Sequence, residues 1–157
     1  MSSGPVLDVQ VVCEGKTDFV VLKAAVAALV GDNECSITLI QPEPPAFDGE
    51  LGAGWKGVRA WCCQYVDLFG GLSRGLASVT FQDVTALIVH VDAGIAEEAE
   101  VDCATPCPTR NHRPEQGVCP AMLATVDALR GTVMAWAGEE SIPPRTRKAA
   151  VMLEVTG

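Results

Sequence analysis

The sequence predicts an α/β fold, an open and mostly parallel sheet of about four strands with helices on both faces. Short apolar runs rich in β-branched residues alternate with longer segments rich in Ala, Leu and Val along the 157 residues. The clearest of these runs, residues 85–91, is apolar almost throughout, as strands buried on both faces are. Because parallel strands need long crossover connections, this alternation favours a doubly wound sheet.

The first strand and the first helix are separated by a short turn. Residues 6–12 are mostly apolar and predict a buried strand. Residues 19–30 have the length and composition of a helix, which Gly31 is expected to end. Thr17 or Asp18 is expected to cap the amino end of this helix.

The second strand and the second helix are separated by a longer loop. Residues 36–40 predict the strand, and three prolines and three glycines over 41–54 predict the loop. Apolar residues recur at helical spacing over 55–69, which predicts a helix. Residues 72–79 predict a further short helix.

The remaining elements complete the sheet. The strand at 85–91 leads into an irregular Cys- and Pro-rich loop over 95–120, a helix over 121–137 and a last strand over 149–155. At about 100–200 residues per domain, residues 1–157 predict a single domain. The chain stops at the last strand, where doubly wound domains often add a helix, so a C-terminally short form is expected.

The charge of the chain is unevenly distributed. The net charge of −9 disfavours a plain electrostatic nucleic-acid binder. Residues 1–102 hold 15 acidic and 5 basic residues, whereas residues 103–157 hold 5 and 6. The excess is either a solvated acidic face or a set of carboxylates that converge on a cation. The richest apolar run is too short to cross a bilayer, so no membrane association is expected.

The cysteines indicate the compartment and a second candidate site. Seven cysteines, an odd number, and an amino terminus without a basic signal segment predict a reduced, cytoplasmic protein. Three cysteines in apolar segments are expected to be buried: Cys13, Cys62 and Cys63. Four potential zinc ligands follow: Cys103, Cys107, His112 and Cys119. Because their spacing departs from the zinc-knuckle pattern, a Zn²⁺ site, a disulfide and unliganded cysteines stay open as alternatives.

The first candidate functional motif is the turn after the first strand, Glu14-Gly15-Lys16-Thr17-Asp18. Open α/β sheets bind ligands beyond the carboxyl ends of their strands, where Glu14 falls. Gly15 permits a tight turn, and Lys16 stands at the amino end of a helix, where anions are favoured. The turn is a candidate for a phosphate and a metal ion, and the alternative is an ordinary strand-to-helix turn.

The second candidate motif ends the third predicted strand, His90-Val91-Asp92-Ala93-Gly94. If the first and third strands are neighbours, Asp92 and Glu14 reach the same edge of the sheet. Such a pair suits Mg²⁺, which takes one or two carboxylates and keeps several waters. The alternative is that Asp92 caps the following turn and that His90 is a buried structural residue.

Together the two motifs resemble the TOPRIM domain of topoisomerases, primases and overcoming-lysogenisation-defect nucleases. The resemblance rests on VVCEGKTD at 11–18 and LIVHVDAG at 87–94, and it covers roughly residues 6–95. The resemblance of the two motifs is greatest to small bacterial TOPRIM-like proteins, some of which are suspected to act in phage defence. It implies a TOPRIM or Rossmann-like sheet and Mg²⁺- or Mn²⁺-dependent hydrolysis of nucleic acid.

The resemblance also implies roles for individual residues. Glu14 matches the family glutamate, a general acid/base or metal ligand, and Asp92 matches the first aspartate of the Asp-x-Asp pair, a Mg²⁺ ligand. Gly94 replaces the second aspartate, which removes one carboxylate. Three other carboxylates are candidates to compensate: Asp18, Glu97 and Glu98. Five basic residues are candidate phosphate contacts: Lys16, Arg110, Arg113, Arg145 and Lys148.

Three hypotheses for the function stay open at this point. The first is a metal-dependent nuclease, which attacks with water because Tyr65, the only tyrosine, lies within a predicted helix. The second is a non-catalytic TOPRIM-like subunit that binds a partner protein, which Gly94 and the acidic charge favour. The third is a protein that binds a phosphate or nucleotide at the helix start over residues 15–18.

Overall fold

A computed structural model describes residues 6–42, 51–92, 94–95, 120–139 and 150–156 of the chain. In order, the elements of these residues are β1 Leu7–Val12, α1 Lys16–Val30, β2 Cys35–Gln41, α2 Gly54–Phe69, α3 Leu72–Leu76, a 3₁₀ turn Val79–Phe81, β3 Ala86–Asp92, α4 Pro120–Trp136 and β4 Ala150–Thr156. Every predicted helix and strand is present, although some of their ends are shifted. None of the helices in the described ranges is long and apolar enough to cross a membrane.

The strands form one parallel sheet in the order β2-β1-β3-β4. The register pairs Val9 of β1 with Ile37 of β2 on one side and with Ala86 of β3 on the other. The predicted α/β class with a parallel sheet of about four strands is confirmed. From β1 the chain builds outward to β2 in one direction and to β3 and β4 in the other, so the topological switch lies between β1 and β3.

Helices cover both faces of the sheet. On one face, Leu22 of α1 packs against a small core that includes Val11 of β1 and Ile88 of β3. On the other face, α2, α3 and α4 enclose a larger core with almost completely buried side chains at Val58, Leu72, Leu129 and Val133. Strand β3 contributes to both cores, which explains why its sequence is apolar at nearly every position.

Helix α1 begins three residues earlier than predicted, at Lys16. Gly15 is its N-cap residue, in an extended conformation, and no side chain caps the helix. The prediction that Thr17 or Asp18 is the cap is therefore wrong, because both residues lie in the first helical turn. There the Asp18 carboxylate interacts favourably with the helix dipole instead. Gly31 follows the last helical residue as predicted, with a φ of 61°.

The amino end of α2 is fixed against the turn that follows β1. Gln41, buried at the end of β2, donates a hydrogen bond from Nε2 to the carbonyl of Gly52 at 2.5 Å. Gly57 permits this approach, because a Cβ there would overlap the same carbonyl oxygen. The N–H of Gly54 then donates to the carbonyl of Glu14 at 2.8 Å. The start of α2 therefore lies directly beside Glu14.

Tyr65 of α2 is the centre of a buried aromatic cluster. Its ring centroid lies 4.7–5.4 Å from those of Trp61, Phe69 and Phe81. Burial raises the pKa of its hydroxyl to about 12, which disfavours the phenolate that a nucleophile would need. A Cβ at Gly75 of α3 would overlap the Tyr65 ring, so α3 approaches α2 only because residue 75 lacks a side chain.

The cysteines of the described residues are placed partly as predicted. Cys13 and Cys62 are buried, whereas Cys63 is exposed. The predicted burial of Cys63 is wrong. Successive helical residues point in different directions, so of the two adjacent cysteines in α2 it is Cys62 that faces the core. The apolar character of the segment alone does not show which of the two cysteines is buried.

Candidate functional site at the carboxyl edge of the sheet

Glu14 and Asp92 reach the same edge of the sheet. Asp92 is the last residue of β3, and Glu14 is the second residue after β1. These two strands are parallel neighbours, with Val12 in register with Val89. Their carboxyl ends therefore meet at the topological switch point, where open α/β sheets bind their ligands.

A hydrogen bond joins the two sequence motifs directly. The N–H of Asp92 donates to Oε1 of Glu14 at 2.6 Å. The N–H of Gly94 donates to Oδ1 of Asp92 at 2.8 Å, so Asp92 also caps the turn that follows it. One oxygen of each carboxylate thus accepts a hydrogen bond from a backbone amide. The second oxygen of each accepts no hydrogen bond from any residue that the structure describes.

The pKa of the Glu14 carboxyl is raised above its ordinary value. Partial burial is the largest cause, because it disfavours the charged form. The negative charges of Asp92 and Asp18 raise the pKa further, whereas the hydrogen bond from the Asp92 amide and the nearby His90 lower it. Glu14 therefore keeps its proton to a higher pH than a solvated glutamate does.

In the metal-free protein, Glu14→Gln is expected to raise the free energy of unfolding at pH 7 and to change it less at pH 4. With a raised folded-state pKa, the contribution of Glu14 to stability is complete below the unfolded-state value of about 4.5. This contribution is lost as the pH rises through the pKa of Glu14 in the folded state. Urea unfolding in EDTA at the two pH values measures the difference.

The control for this prediction is Glu34→Gln, which removes an exposed negative charge before β2. The glutamine of the Glu14 variant keeps an oxygen that can accept the hydrogen bond from the Asp92 amide, so the comparison isolates the charge. A stability change in Glu14→Gln that is the same at pH 4 and pH 7 would contradict the expected direction.

Lys16 and Asp18 add two charges to the same edge. Lys16 is exposed at the amino end of α1, where the first amides have no side-chain cap. Asp18 is half-buried in the first turn and lies near enough to Glu14 to raise the pKa of that carboxyl. The edge therefore contains a cation beside a cluster of negative charge.

Glu14 and Asp92 place two carboxylates, the ligand type that Mg²⁺ and Mn²⁺ take, at one edge of the sheet. Among the residues that the structure describes, no group of three or more His, Cys, Asp or Glu side chains is arranged to hold a metal ion. Mg²⁺ is usually bound through one or two carboxylates, while water and substrate phosphate fill its other positions. The pair is therefore sufficient in type for Mg²⁺ or Mn²⁺, but Asp18 does not complete a three-ligand group with it.

Gly94 leaves the position beside Asp92 without a side chain. A Cβ there would lie 3.3 Å from Oδ1 of Asp92, and among the described residues outside its chain neighbours the other atom within 4 Å is the carboxyl carbon of Asp92. The φ of Gly94 is outside the left-handed region, so other residues can adopt its backbone conformation. A side chain at this position would stand directly beside the Asp92 carboxylate.

Several predicted site residues lie outside the described residues. They include the four zinc candidates, Cys103, Cys107, His112 and Cys119. They also include two carboxylates and four basic residues: Glu97, Glu98, Arg110, Arg113, Arg145 and Lys148. The Zn²⁺ site therefore stays a prediction, as do these phosphate contacts.

Two buried side chains flank the candidate site. The thiol of Cys13 donates to the carbonyl of Gly15 at 3.2 Å, and burial raises its pKa to about 11. The thiol is therefore neutral near pH 7 and unsuited to act as a nucleophile beside Glu14. His90 is 5% exposed on β3, which agrees with its interpretation as a core residue.

Four residues of α2 and α4 were not predicted as a group: Trp55, Lys56, Arg59 and Trp136. The rings of Trp55 and Trp136 stack with centroids 6.1 Å apart, and Lys56 and Arg59 lie over one ring each. The sequence did contain a signal, since two basic residues and a tryptophan open α2 in a chain with a net charge of −9. Nothing in the sequence indicated that Trp136 joins them.

Comparison of the chain with models of known protein families, with curated proteins and with solved structures found no match. No relative therefore supplies a family for the chain. The resemblance to TOPRIM domains rests on the two motifs themselves.

Proposed function

We propose that the chain is a TOPRIM-like domain that hydrolyses phosphodiester bonds of nucleic acid with Mg²⁺ or Mn²⁺, using Glu14 and Asp92. The observation that carries the proposal is the hydrogen bond from the Asp92 amide to the Glu14 carboxylate. It brings the two motifs into contact at the switch point of a parallel sheet, beside an exposed lysine at a helix amino end.

The residues of this edge have separate roles in the proposal. Glu14 and Asp92 would hold the cation through the oxygens that accept no hydrogen bond from the described residues. When bound, Mg²⁺ neutralises the charge that develops on the phosphate oxygens. As an alternative to holding the cation, Glu14 exchanges a proton with the attacking water, for which its raised pKa in the metal-free protein suits it. Lys16 contacts the phosphate from the amino end of α1.

Cleavage of labelled single- and double-stranded DNA and RNA tests this proposal. The wild-type chain is expected to cleave at least one of these substrates with Mg²⁺ or Mn²⁺ and none of them in EDTA. Glu14→Gln and Asp92→Asn are each expected to lower the rate by about 100-fold or more, the usual cost of losing one such electrostatic contact.

The matched control is Asp83→Asn, which neutralises an exposed carboxylate three residues before β3, at the opposite end of that strand. It is expected to cleave at the wild-type rate. Absence of cleavage by the wild-type chain, or cleavage at the wild-type rate by both Glu14→Gln and Asp92→Asn, would rule out the nuclease.

A non-catalytic TOPRIM-like subunit that binds a partner protein is the second candidate. Two observations favour it: Gly94 stands where the resembled family has a carboxylate, and the described residues contain no three-ligand group. In this case the Glu14–Asp92 contact only ties β1 to β3. Mg²⁺ would then leave the melting temperature unchanged in wild type and in both site variants.

A further inference from the structure

Strand β2 lies at one edge of the sheet, and among the described strands it pairs with β1 alone. The N–H of Leu7 in β1 donates to the carbonyl of Glu34, the residue before β2, at 2.9 Å. Because backbone groups alternate sides along a strand, every second residue from Glu34 faces β1 and the residues between them face away. The N–H and C=O groups that point out of the sheet are therefore those of Cys35, Ile37 and Leu39.

The sequence of β2 lacks the features that usually keep an edge strand from pairing. Its residues, CSITLIQ, include no charged residue and no proline, whereas the strand at the other edge, β4, includes Glu154. Charged side chains, prolines and bulges are the usual means of blunting an edge. The irregularity in the register of β2 with β1 comes only after Leu39. The outward groups of β2 are therefore suited to pair with another strand.

An antiparallel second copy of β2 matches this edge. A two-fold axis at Ile37 sets Ile37 opposite itself and Cys35 opposite Leu39 of the second copy. In each of these pairs the outward N–H and C=O groups face each other, so each pair exchanges both of its hydrogen bonds. On the other face of the strand, Ser36 then lies opposite Thr38 of the second copy, and both side chains are exposed and uncharged.

Helix α1 fits the same arrangement. It connects β1 to β2 and shares a core with side chains of both strands, such as Val11 and Ile37, so its axis runs above the groove between them. The axis thus lies half a strand spacing inside the edge. Pairing of the two edges at about 4.8 Å then places the two copies of α1 roughly 10 Å apart. Because packed helices lie about 8–10 Å apart, the pairing of the strands also brings the helices into contact.

The exposed charges beside this edge are complementary across the two-fold axis. Val26 of α1 packs in the same small core as Ile37, which sets this part of the helix near the axis. The two helices run antiparallel, so Lys23, about one turn before Val26, lies beside the carboxyl end of α1 in the second copy. Asp32 follows that end, and both Lys23 and Asp32 are exposed. A chain with a net charge of −9 therefore gains an attraction here.

We propose that β2 and α1 form the interface of a symmetric dimer, in which two antiparallel copies of β2 join the sheets of both chains into one. The proposal does not depend on the nuclease function. A second copy is the partner because the outward groups, the Ser36–Thr38 pair and the charges of α1 match themselves about one axis, whereas a strand of another protein would match the outward groups alone. The carboxyl edges of the two sheets point in opposite directions, so both Glu14–Asp92 sites stay outside the interface.

Sedimentation equilibrium over a series of chain concentrations measures the mass in solution. The wild-type chain is expected to reach the mass of two chains. The double variant Ser36→Lys/Thr38→Lys is expected to raise the dissociation constant by about tenfold or more, because like charges then lie directly opposite each other. The matched variant Ser36→Lys/Thr38→Glu changes the same exposed positions but sets each lysine opposite a glutamate. It is expected to dimerise at least as tightly as wild type.

Amide hydrogen exchange shows which surface the dimer uses. The outward amides of Cys35, Ile37 and Leu39 are expected to exchange slowly in the wild-type dimer and fast in Ser36→Lys/Thr38→Lys. The amides of residues 36 and 38 face β1 and are expected to stay slow in every variant, which reports an intact fold.

Three outcomes would overturn the proposal. They are the mass of one chain at every concentration of the wild type, equal dimerisation of the two double variants, and fast exchange at Ile37 in a wild-type dimer. Slow exchange at Ile37 in a wild-type monomer would assign the edge to another segment of this chain and would overturn it as well.

Discussion

Replacing Gly94 with aspartate is expected to tighten the binding of Mg²⁺ by about tenfold, or about 1.4 kcal/mol. Of the described residues outside its chain neighbours, a Cβ at this position meets the Asp92 carboxylate, so the new carboxylate stands beside an existing ligand candidate. In EDTA the same substitution is expected to lower the melting temperature, because two negative charges then lie side by side without a cation. Calorimetric titration and thermal unfolding with and without Mg²⁺ measure both effects.

Gly94→Asn is the matched control, since asparagine has the same shape without the charge. It is expected to bind Mg²⁺ no more tightly than wild type. If the nuclease proposal is correct, Gly94→Asp is also expected to cleave faster at limiting Mg²⁺. Equal metal affinity of Gly94→Asp and Gly94→Asn would show that residue 94 does not face a cation.

Replacing Gly75 with alanine is expected to lower the free energy of unfolding by about 2–3 kcal/mol. The added Cβ would overlap the Tyr65 ring, which is held by three aromatic neighbours and has little room to move. Overpacking of this kind typically costs about 1–3 kcal/mol. Urea unfolding measures the loss, provided that the transition is two-state.

The control for Gly75 is Gly131→Ala in α4, where a Cβ would meet no described atom outside its own helix backbone within 4 Å. That substitution is expected to stabilise the chain by about 0.5–1 kcal/mol, because alanine favours the helix and restricts the unfolded chain. Combining Gly75→Ala with Tyr65→Leu is expected to cost less than the sum of the two single losses, since the pair is in contact. Strict additivity would contradict the overlap.

The order of the elements could be predicted from the sequence because each has its own pattern. Residues 85–91 are apolar on both faces, which is required of a central strand such as β3. The start of α1 could not be predicted, because Thr17 and Asp18 are good capping residues by type. The structure caps the helix instead with Gly15, which has no side chain to recognise.

The contact between Glu14 and Asp92 could be predicted from the sequence only on the condition that β1 and β3 are neighbours. Parallel strands bring their carboxyl ends together, so the two residues share an edge if β1 and β3 are neighbours. The register between β1 and β3 determines which group Glu14 contacts. Because Val12 pairs with Val89, Glu14 lies opposite Val91 and accepts a hydrogen bond from the amide of the following residue, Asp92. Strand β3 is apolar on both faces, so its hydrophobic pattern does not choose between neighbouring registers with β1.

The contact between Trp55 and Trp136 could not be predicted from local patterns for a similar reason. Lys56 and Arg59 stand three residues apart and share a helix face, which the sequence does indicate. Trp136 lies at the end of a helix that is distant in sequence, and it reaches Trp55 only because α2 and α4 pack on the same face of the sheet. Pairing between distant helices requires the packed structure.

The hydrogen bond from Gln41 to Gly52 links the end of β2 to the start of α2. The two ends of the segment between them are joined through a buried side chain, and its far end is tied to Glu14 through Gly54. The position of Glu14 at the edge therefore depends on a side chain of β2, a strand that lies two places away from β3 and Asp92 in the sheet.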